Sequence, residues 1–352
     1  MSDLEQKKLF SIQPVPGKGN GVIATSAIAK GTRIHAESPI ITLPTFDEAR
    51  NAPALNELVL KQLRSLTRDQ QRHFFSLRNI HGMSLPIPLG IVETNALAFG
   101  PGGEGGVFLT ASQFNHDCLP SARSNWNVKL GMMAIHALCD IEAGQEITIT
   151  YINLETRAER QRILQDGFHF TCVCKICTLP QEMIDELDTI ILEIKEIDKF
   201  LKENNMSLEI GLRLAYRQRY LIESSCLDMA HAPDTYKFAA KMAAVYKDYA
   251  RAKVFSERQL AIDMDEYGPD HPEALTQQDM DGYLGSLLEK HYGPLIPYHF
   301  RLNDLENWLW MQHLPEEHEG ETGEVASEGT ADEISHDCSS HNEMGFDVEA
   351  VG

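Results

Sequence analysis

The chain has 352 residues, of which 43% are apolar, so it is long enough for two domains with a sizeable core. Its net charge of −21 is uneven, because residues 314–352 hold twelve acidic and no basic groups, against 40 acidic and 31 basic groups in residues 1–313. Direct nucleic-acid binding is not expected, since it needs clustered Lys and Arg and the longest basic run is Lys7-Lys8.

The N-terminal segment and the hydropathy give no sign of a membrane protein. Residues 1–5 lack a basic-then-apolar secretion signal, and no apolar run approaches the roughly 18 residues of a membrane span. We therefore expect an intracellular protein of the nucleus or cytoplasm, a monomer without membrane contact. Disulfides among its seven cysteines are not expected there, and a cysteine cluster more often binds metal or catalyses.

Residues 9–43 alternate short β-branched runs with turn residues, which predicts two or three strands with glycine turns. Gly17, Gly19 and Gly21 occupy alternate positions. Such glycines can expose backbone amides to a carboxylate or phosphate, or they can form an ordinary hairpin turn. The triplet alone does not decide between a ligand loop and a turn.

A helical insert is predicted at about residues 46–80. Leucines follow helical spacing from Leu55 to Leu66, Thr67 begins a second helix, and Pro86-Ile87-Pro88 is expected to end the insert. Asn95 precedes a glycine-rich loop at 100–106. It is either a turn residue or a buried amide that faces a ligand.

Residues 114–151 place a polar pair, Asn115-His116, ahead of more β structure. A strand hairpin is predicted with its turn at Gly131, followed by a strand that leads to Tyr151. His116 is either a hydrogen-bonded core or loop residue, or a ligand or base. No Ser-His-Asp or two-carboxylate pattern of a hydrolase accompanies it.

Three cysteines, Cys172, Cys174 and Cys177, form a C-x-C-x-x-C motif, and Cys118 is the candidate for a fourth thiolate. Four soft ligands of this kind suit a tetrahedral structural zinc; the alternative is a chance group of buried thiols. A closed site of four thiolates has no open position. The zinc site is therefore predicted to have a structural role, in which it cross-links the segment after residue 170 to the Asn115-His116 segment.

From 181 to 312 the apolar pattern is helical almost throughout. The turn from Gly268 to Pro272 resembles those of tetratricopeptide-type repeats, without a clear 34-residue period, and plain helix packing is the alternative. Residues 313–352 are acidic and nearly free of large apolar groups, so a disordered tail is predicted.

The order of these motifs resembles a SET-domain protein methyltransferase over residues 9–178, closest to the SET-and-MYND subfamily. Residues 44–100 contain no cysteine, so the chain is similar to relatives that lack the MYND zinc finger. The resemblance implies an α+β fold: small β-sheets with a knot-like threading of the Tyr151 segment past the Asn115 segment. It also implies a zinc-binding segment at 170–178 and a separate helical C-terminal domain at 181–312.

The resemblance further implies S-adenosylmethionine as methyl donor and the lysine of a protein substrate as acceptor, within a basic segment such as a histone tail. Catalytic roles fall to Tyr151 and to Phe168, where related enzymes commonly carry a second tyrosine. The residues implied for cofactor binding are Lys18, Gly19, Asn20, Gly21, Asn95, Asn115, His116, Tyr151 and Phe170, and those for structural zinc are Cys118, Cys172, Cys174 and Cys177. Two alternatives stay open: a scarcely catalytic scaffold that recruits partners through its helical domain, and methyl transfer to a small molecule.

Overall fold

The computed structural model describes residues 9–45, 52–99, 103–203, 205–225, 227, 234–292 and 302–312. The predicted acidic tail and the first residues of the predicted insert lie outside these ranges. Among the described helices, none combines the length and the apolarity that a membrane crossing requires.

The described residues form ten strands. They are β1 (Phe10–Val15), β2 (Gly19–Ala24), β3 (Arg33–Glu37), β4 (Ile41–Leu43), β5 (Leu97–Ala98), β6 (Gly105–Val107), β7 (Asn115–His116), β8 (Ala122–Asn127), β9 (Met132–Ala137) and β10 (Glu146–Ile149). Three small sheets result, ordered β1-β2-β10-β7, β3-β9-β8 and β4-β6-β5. The predicted hairpin with its turn at Gly131 is confirmed as β8 and β9, and residues 9–43 hold four strands where two or three were predicted.

One parallel pair brings the two polar motifs together. Strand β10 pairs with β7 so that Thr148 lies opposite Asn115 and Ile149 opposite His116. On its other edge β10 pairs antiparallel with β2. The predicted approach of the Tyr151 segment to the Asn115 segment is confirmed by this pairing, which places both beside the hairpin of β1 and β2.

The helical insert comprises α1 (Ala52–Ser65), α2 (Arg68–Ser76) and α3 (Ile87–Asn95). A capping box of Thr67 and Gln70 begins α2, as the sequence predicted. The insert extends further than expected, because the proline pair that was predicted to end it begins α3 instead. Proline is tolerated in the first helical turn, where its missing N–H has no helical partner.

The remaining described helices are α4 (Arg157–Phe168), α5 (Gln181–Glu203), α6 (Leu208–Ser224), α7 (Thr235–Val245), α8 (Tyr249–Tyr267), α9 (Pro272–Tyr292) and α10 (Leu302–Leu309). From α5 to α9 each helix packs against the next in sequence. Their shared core includes Leu212, Phe255 and Trp310 and continues into Cys118 and Leu164. A largely helical C-terminal region is thus confirmed, while its boundaries and its likeness to tetratricopeptide repeats stay predictions.

Charged and polar contacts join the end of α8 to the β3-β9-β8 sheet. Arg33 pairs with Asp270, Arg123 pairs with Glu266, and Asn125 Nδ2 donates to the Glu266 carbonyl at 2.9 Å. His136 on β9 is buried beneath them. Burial lowers the pKa of His136 to about 4, and the positive charge of Arg33 lowers it further against the opposing charge of Asp270.

Candidate active site

A cleft of about 710 Å³ lies where the β1–β2 turn, the insert, strand β7 and the segment after α4 meet. Its volume is within the range of small-molecule and cofactor sites. Nine residues that the sequence assigned to cofactor or catalysis line it: Lys18, Gly19, Asn20, Asn95, Asn115, His116, Tyr151, Phe168 and Phe170. The parallel pair β7–β10 therefore gathers groups that are far apart in the sequence.

Glu146, at the start of β10, contacts two residues that line the cleft. Its Oε1 accepts a hydrogen bond from Asn115 Nδ2 at 2.7 Å, and its Oε2 lies 2.7 Å from Lys18 Nζ. The same Asn115 amide donates to the Asn20 carbonyl at 3.0 Å. Asn115 is thus held in place from both β2 and β10, and the charge of Lys18 is neutralised within the protein.

Gly21 is the one residue of the predicted cofactor set that is absent from the cleft lining. It is buried in β2, where an added Cβ would lie 2.7 Å from Asn115 Nδ2 and 2.8 Å from Glu146 Oε1. The turn itself occupies residues 16–18, with Gly17 at a φ of 75°. The structural role of Gly21 is to leave room for the Asn115–Glu146 hydrogen bond.

His116 is buried and both of its ring nitrogens are engaged. Tyr151 N–H lies 3.1 Å from Nδ1, which therefore accepts, so the proton is on Nε2, 3.3 Å from Cys118 Sγ. This tautomer donates toward sulfur, the arrangement expected beside a metal-bound thiolate. His116 links the Tyr151 segment to the cysteine cluster and is not free to act as a base.

Tyr151 follows β10, and its hydroxyl donates to the Phe114 carbonyl at 2.7 Å. Burial raises the pKa of Tyr151 above its usual range; the charge of Glu146 adds to this and that of Arg78 opposes it. The hydroxyl therefore stays protonated over the physiological range. The Phe168 ring is centred 4.9 Å from the Tyr151 ring, and together they give this part of the cleft an aromatic wall.

Asn95 ends α3, and its side chain is buried against the backbone of the insert. Its Nδ2 donates to the Arg78 carbonyl at 2.6 Å and to the Ile91 carbonyl at 2.7 Å. The interpretation as a turn residue is wrong, since the residue is helical and buried. Within the protein, Asn95 fixes the position of residue 78 at the edge of the cleft.

The four cysteines form a metal-binding geometry next to the cleft. Their sulfurs all lie within 4.8 Å of one another, and Cys118 Sγ is 3.9 Å from Cys172 Sγ and 3.6 Å from Cys177 Sγ. Tetrahedral zinc with Zn–S bonds of about 2.3 Å implies sulfur separations of about 3.8 Å, so these residues fit a structural zinc. All four are free thiols. Cys139 is disulfide-bonded, contrary to the expectation for an intracellular chain.

A buried guanidinium completes this cluster. Arg160 on α4 is 2% exposed, and its Nη2 lies 3.8 Å from Cys177 Sγ. Hydrogen bonds from the other three cysteines hold the pKa of Cys177 below its usual range, and the nearby charge of Arg160 lowers it further. The thiolate form that zinc requires is favoured at this position.

Sequence reasoning missed three charged groups at the cleft. The Gly144-x-Glu146 pattern assigns no role to Glu146, and nothing in the spacing of Arg78 marks it as a site residue. Asp117 also lines the cleft. Burial raises its pKa to about 7, with a further contribution from Cys174 and an opposing one from the Leu119 amide and Lys18. The sequence offers one indication that Asp117 belongs to the site, which is its position directly after the Asn115-His116 pair.

Comparison with known proteins identifies the class. Residues 19–152 match the SET domain family. The histone-lysine N-methyltransferase set5 of Schizosaccharomyces pombe is 31% identical over 260 residues, which cover 72% of this chain and 77% of set5. The chain therefore belongs to the SET-domain family.

Two further similarities are more limited. The protein-lysine N-trimethyltransferase SMYD5 of Gallus gallus is 36% identical over 76 residues, which cover 20% of this chain and 18% of SMYD5. The solved SET domain of LSMT, bound to lysine and AdoHcy, aligns with 86% of this chain and 92% of its own at 13% identity. Its TM-score of 0.35 is too low for a shared geometry to be inferred.

Proposed function

We propose that the chain is an S-adenosylmethionine-dependent methyltransferase that acts on lysine side chains of protein substrates by direct in-line transfer. One observation carries this proposal: the β7–β10 pair places Asn115, His116 and Tyr151 in one cleft beside a zinc-binding cysteine cluster. The similarity to set5, a histone-lysine N-methyltransferase, extends over most of both chains and supports the same activity.

The cleft lining suits an amphipathic cofactor with an aromatic base. The bound cofactor supplies a methyl group on a positively charged sulfonium. Lys18 from the β1–β2 turn and Gly19 and Asn20 from the start of β2 would hold it on one side, and Asn115 and His116 would hold it from β7. Phe170, whose ring is centred 6.0 Å from the His116 ring, would hold the adenine.

The substrate amine must lose its proton before it can attack, since a free lysine has a pKa of about 10.4. The rings of Tyr151 and Phe168 cannot replace the water that hydrates an ammonium ion. Loss of this hydration favours the neutral amine and so lowers the pKa of the substrate lysine. Because the Tyr151 hydroxyl stays protonated, it orients the amine and does not act as the base. Alignment of the amine with the methyl group would then supply the rate enhancement.

The substrate proposal is a lysine within a basic protein segment, histone or non-histone. The excess of acidic groups over the chain favours encounter with a positively charged partner. Action on such a segment would take place in the nucleus or the cytoplasm, with the protein as a monomer. The scaffold alternative is not favoured, because the cleft has its tyrosine and its aromatic wall in place.

Incubation of the purified protein with labelled S-adenosylmethionine and a cell extract tests the proposal. Labelled protein bands are expected, and they should vanish in Tyr151→Phe while binding of S-adenosylhomocysteine persists. Tyr283→Phe, which alters an exposed tyrosine of α9, is the matched control and should leave the labelling unchanged. Cofactor binding without any transfer would support the scaffold, and label confined to small molecules would support the small-molecule alternative.

A further inference from the structure

Arg78 lines the cleft, and a hydrogen bond from a buried side chain holds its backbone. It lies two residues after the end of α2, and its carbonyl accepts the hydrogen bond from the buried Asn95 amide at 2.6 Å. Its side chain lines the cleft and is exposed. A hydrogen bond thus holds the backbone of Arg78, while its side chain is exposed at the cleft.

The charges that line the cleft are few. Among the described residues, Lys18, Arg78 and Asp117 are the charged residues that line it, apart from cysteines of the candidate metal cluster. Lys18 is paired with Glu146 at 2.7 Å. Within the described part of the chain, the Arg78 guanidinium has neither a hydrogen bond nor an ion pair to a protein group. Of the two cations among the described lining residues, Arg78 is therefore the one whose charge is available to bind an anionic ligand group.

We propose that Arg78 binds the carboxylate of the methionine part of S-adenosylmethionine. This inference rests on the proposed function, because it assigns a residue to the cofactor of the same site. A guanidinium presents paired N–H donors that match a carboxylate, and such charge-assisted bonds are stronger than neutral ones. Lys18, the cation that the sequence placed in the cofactor set, is already neutralised by Glu146.

The position of Arg78 favours the cofactor over the protein substrate as its partner. Its backbone is held by Asn95, a residue of the predicted cofactor set, and not by the Phe168 wall. Its charge also reaches the Tyr151 hydroxyl, where it opposes the effect of burial on the pKa of that group. Arg78 is therefore linked to Asn95 through its backbone and acts on Tyr151 through its charge, so a ligand group that it binds would lie within the same cleft as both residues.

Calorimetric titration with two ligands separates this role from a structural one. S-adenosylhomocysteine carries the carboxylate, whereas 5′-methylthioadenosine keeps the nucleoside and lacks the amino-acid part. Arg78→Ala should weaken binding of S-adenosylhomocysteine about 10-fold and change that of 5′-methylthioadenosine less than about twofold. Arg78→Lys should restore part of the loss and Arg78→Gln should not.

Arg72→Ala is the matched control, since Arg72 is an exposed arginine of α2 that pairs with Asp69 and does not line the cleft. It should bind both ligands as the wild-type protein does. Equal losses for the two ligands in Arg78→Ala would indicate a structural effect and overturn the assignment. Unchanged affinity for S-adenosylhomocysteine with a raised KM for the protein substrate would also overturn it, because Arg78 would then face the substrate. Failure of the wild-type protein to bind S-adenosylhomocysteine would instead contradict the proposed function itself.

Discussion

The side-chain amide of Asn115 donates a hydrogen bond to Glu146 at 2.7 Å, across the parallel pair that joins β7 to β10. Glu146 also pairs with Lys18 at the β1–β2 turn. Two side chains that are 31 residues apart in the sequence thus fix three cleft-lining segments to one another. The geometry of the cleft depends on this neutral donor facing a carboxylate.

Asn115→Asp should destabilise the fold because it replaces the donor with a second carboxylate beside Glu146. The free energy of unfolding should fall by about 1–3 kcal/mol at pH 7.5, more than in Asn115→Ala, although aspartate is closer to asparagine in size. Urea unfolding of both variants measures this difference. Equal stability of the aspartate and alanine variants would contradict the role assigned to the hydrogen bond.

Gly21→Ala should disturb the same hydrogen bond sterically. The added Cβ would lie 2.6 Å from Val15 Cγ2 and 2.7 Å from Asn115 Nδ2, so β2 must shift. A loss of about 1–3 kcal/mol in unfolding free energy is expected, together with weaker binding of S-adenosylhomocysteine. Gly167→Ala in α4 is the control, because nothing lies within 4 Å of its added Cβ and alanine favours a helix. A neutral Gly21→Ala would show that the strand can move without cost.

How much of this site the sequence could predict depends on the range of the contacts. The spacing of Cys172, Cys174 and Cys177 predicts a metal site, and Cys118 is the candidate fourth ligand because a structural zinc takes four; the structure brings the four sulfurs together. The strands around Gly131 follow from local turn chemistry. These features are encoded within a few residues.

The parts that could not be predicted come from pairings of distant segments. No periodicity indicates that Glu146 meets both Lys18 and Asn115, since the contact exists only after β10 has paired with β2 and β7. Arg78 belongs to no recognisable motif in the sequence. Its backbone is held beside the cleft by the hydrogen bond from Asn95, which is 17 residues away. The helix begun by Pro86 and Pro88 was missed because the same residues can end one helix or begin another.

Metal analysis should find about one zinc per chain, because four thiolates of suitable spacing converge. Cys118→Ser should lose the metal and lower the Tm by about 5–10 °C, since binding of a structural metal contributes to folding. Val173→Ala, at a 71% exposed position between two of the ligands, should keep both. Zinc retained in Cys118→Ser at an unchanged Tm would exclude Cys118 as a ligand.

His136 should make the fold sensitive to acid. Its folded pKa of about 4 lies below the unfolded value of 6.5, so the unfolded chain takes up a proton first as the pH falls. The stabilisation is fully present above pH 6.5 and is lost as the pH falls from there to about 4. Between pH 7.5 and 5, wild type should lose about 2 kcal/mol more unfolding free energy than His136→Gln does. Parallel losses in urea titrations of the two proteins would contradict the depressed pKa.

Phe168→Tyr should reduce the number of methyl groups that the enzyme adds. The Phe168 ring is centred 4.9 Å from that of Tyr151, and both line the cleft. If the proposed substrate amine is held beside these rings, we expect an added hydroxyl to reach it. It would bond the unmodified amine and crowd a methylated one, and the rate of the second transfer should fall about tenfold, or about 1.4 kcal/mol of barrier. Mass spectrometry of the labelled substrate gives the ratio of mono- to higher-methylated product. Phe168→Leu, which adds no hydroxyl, is the control, and the same product ratio in all three proteins would place Phe168 away from the amine.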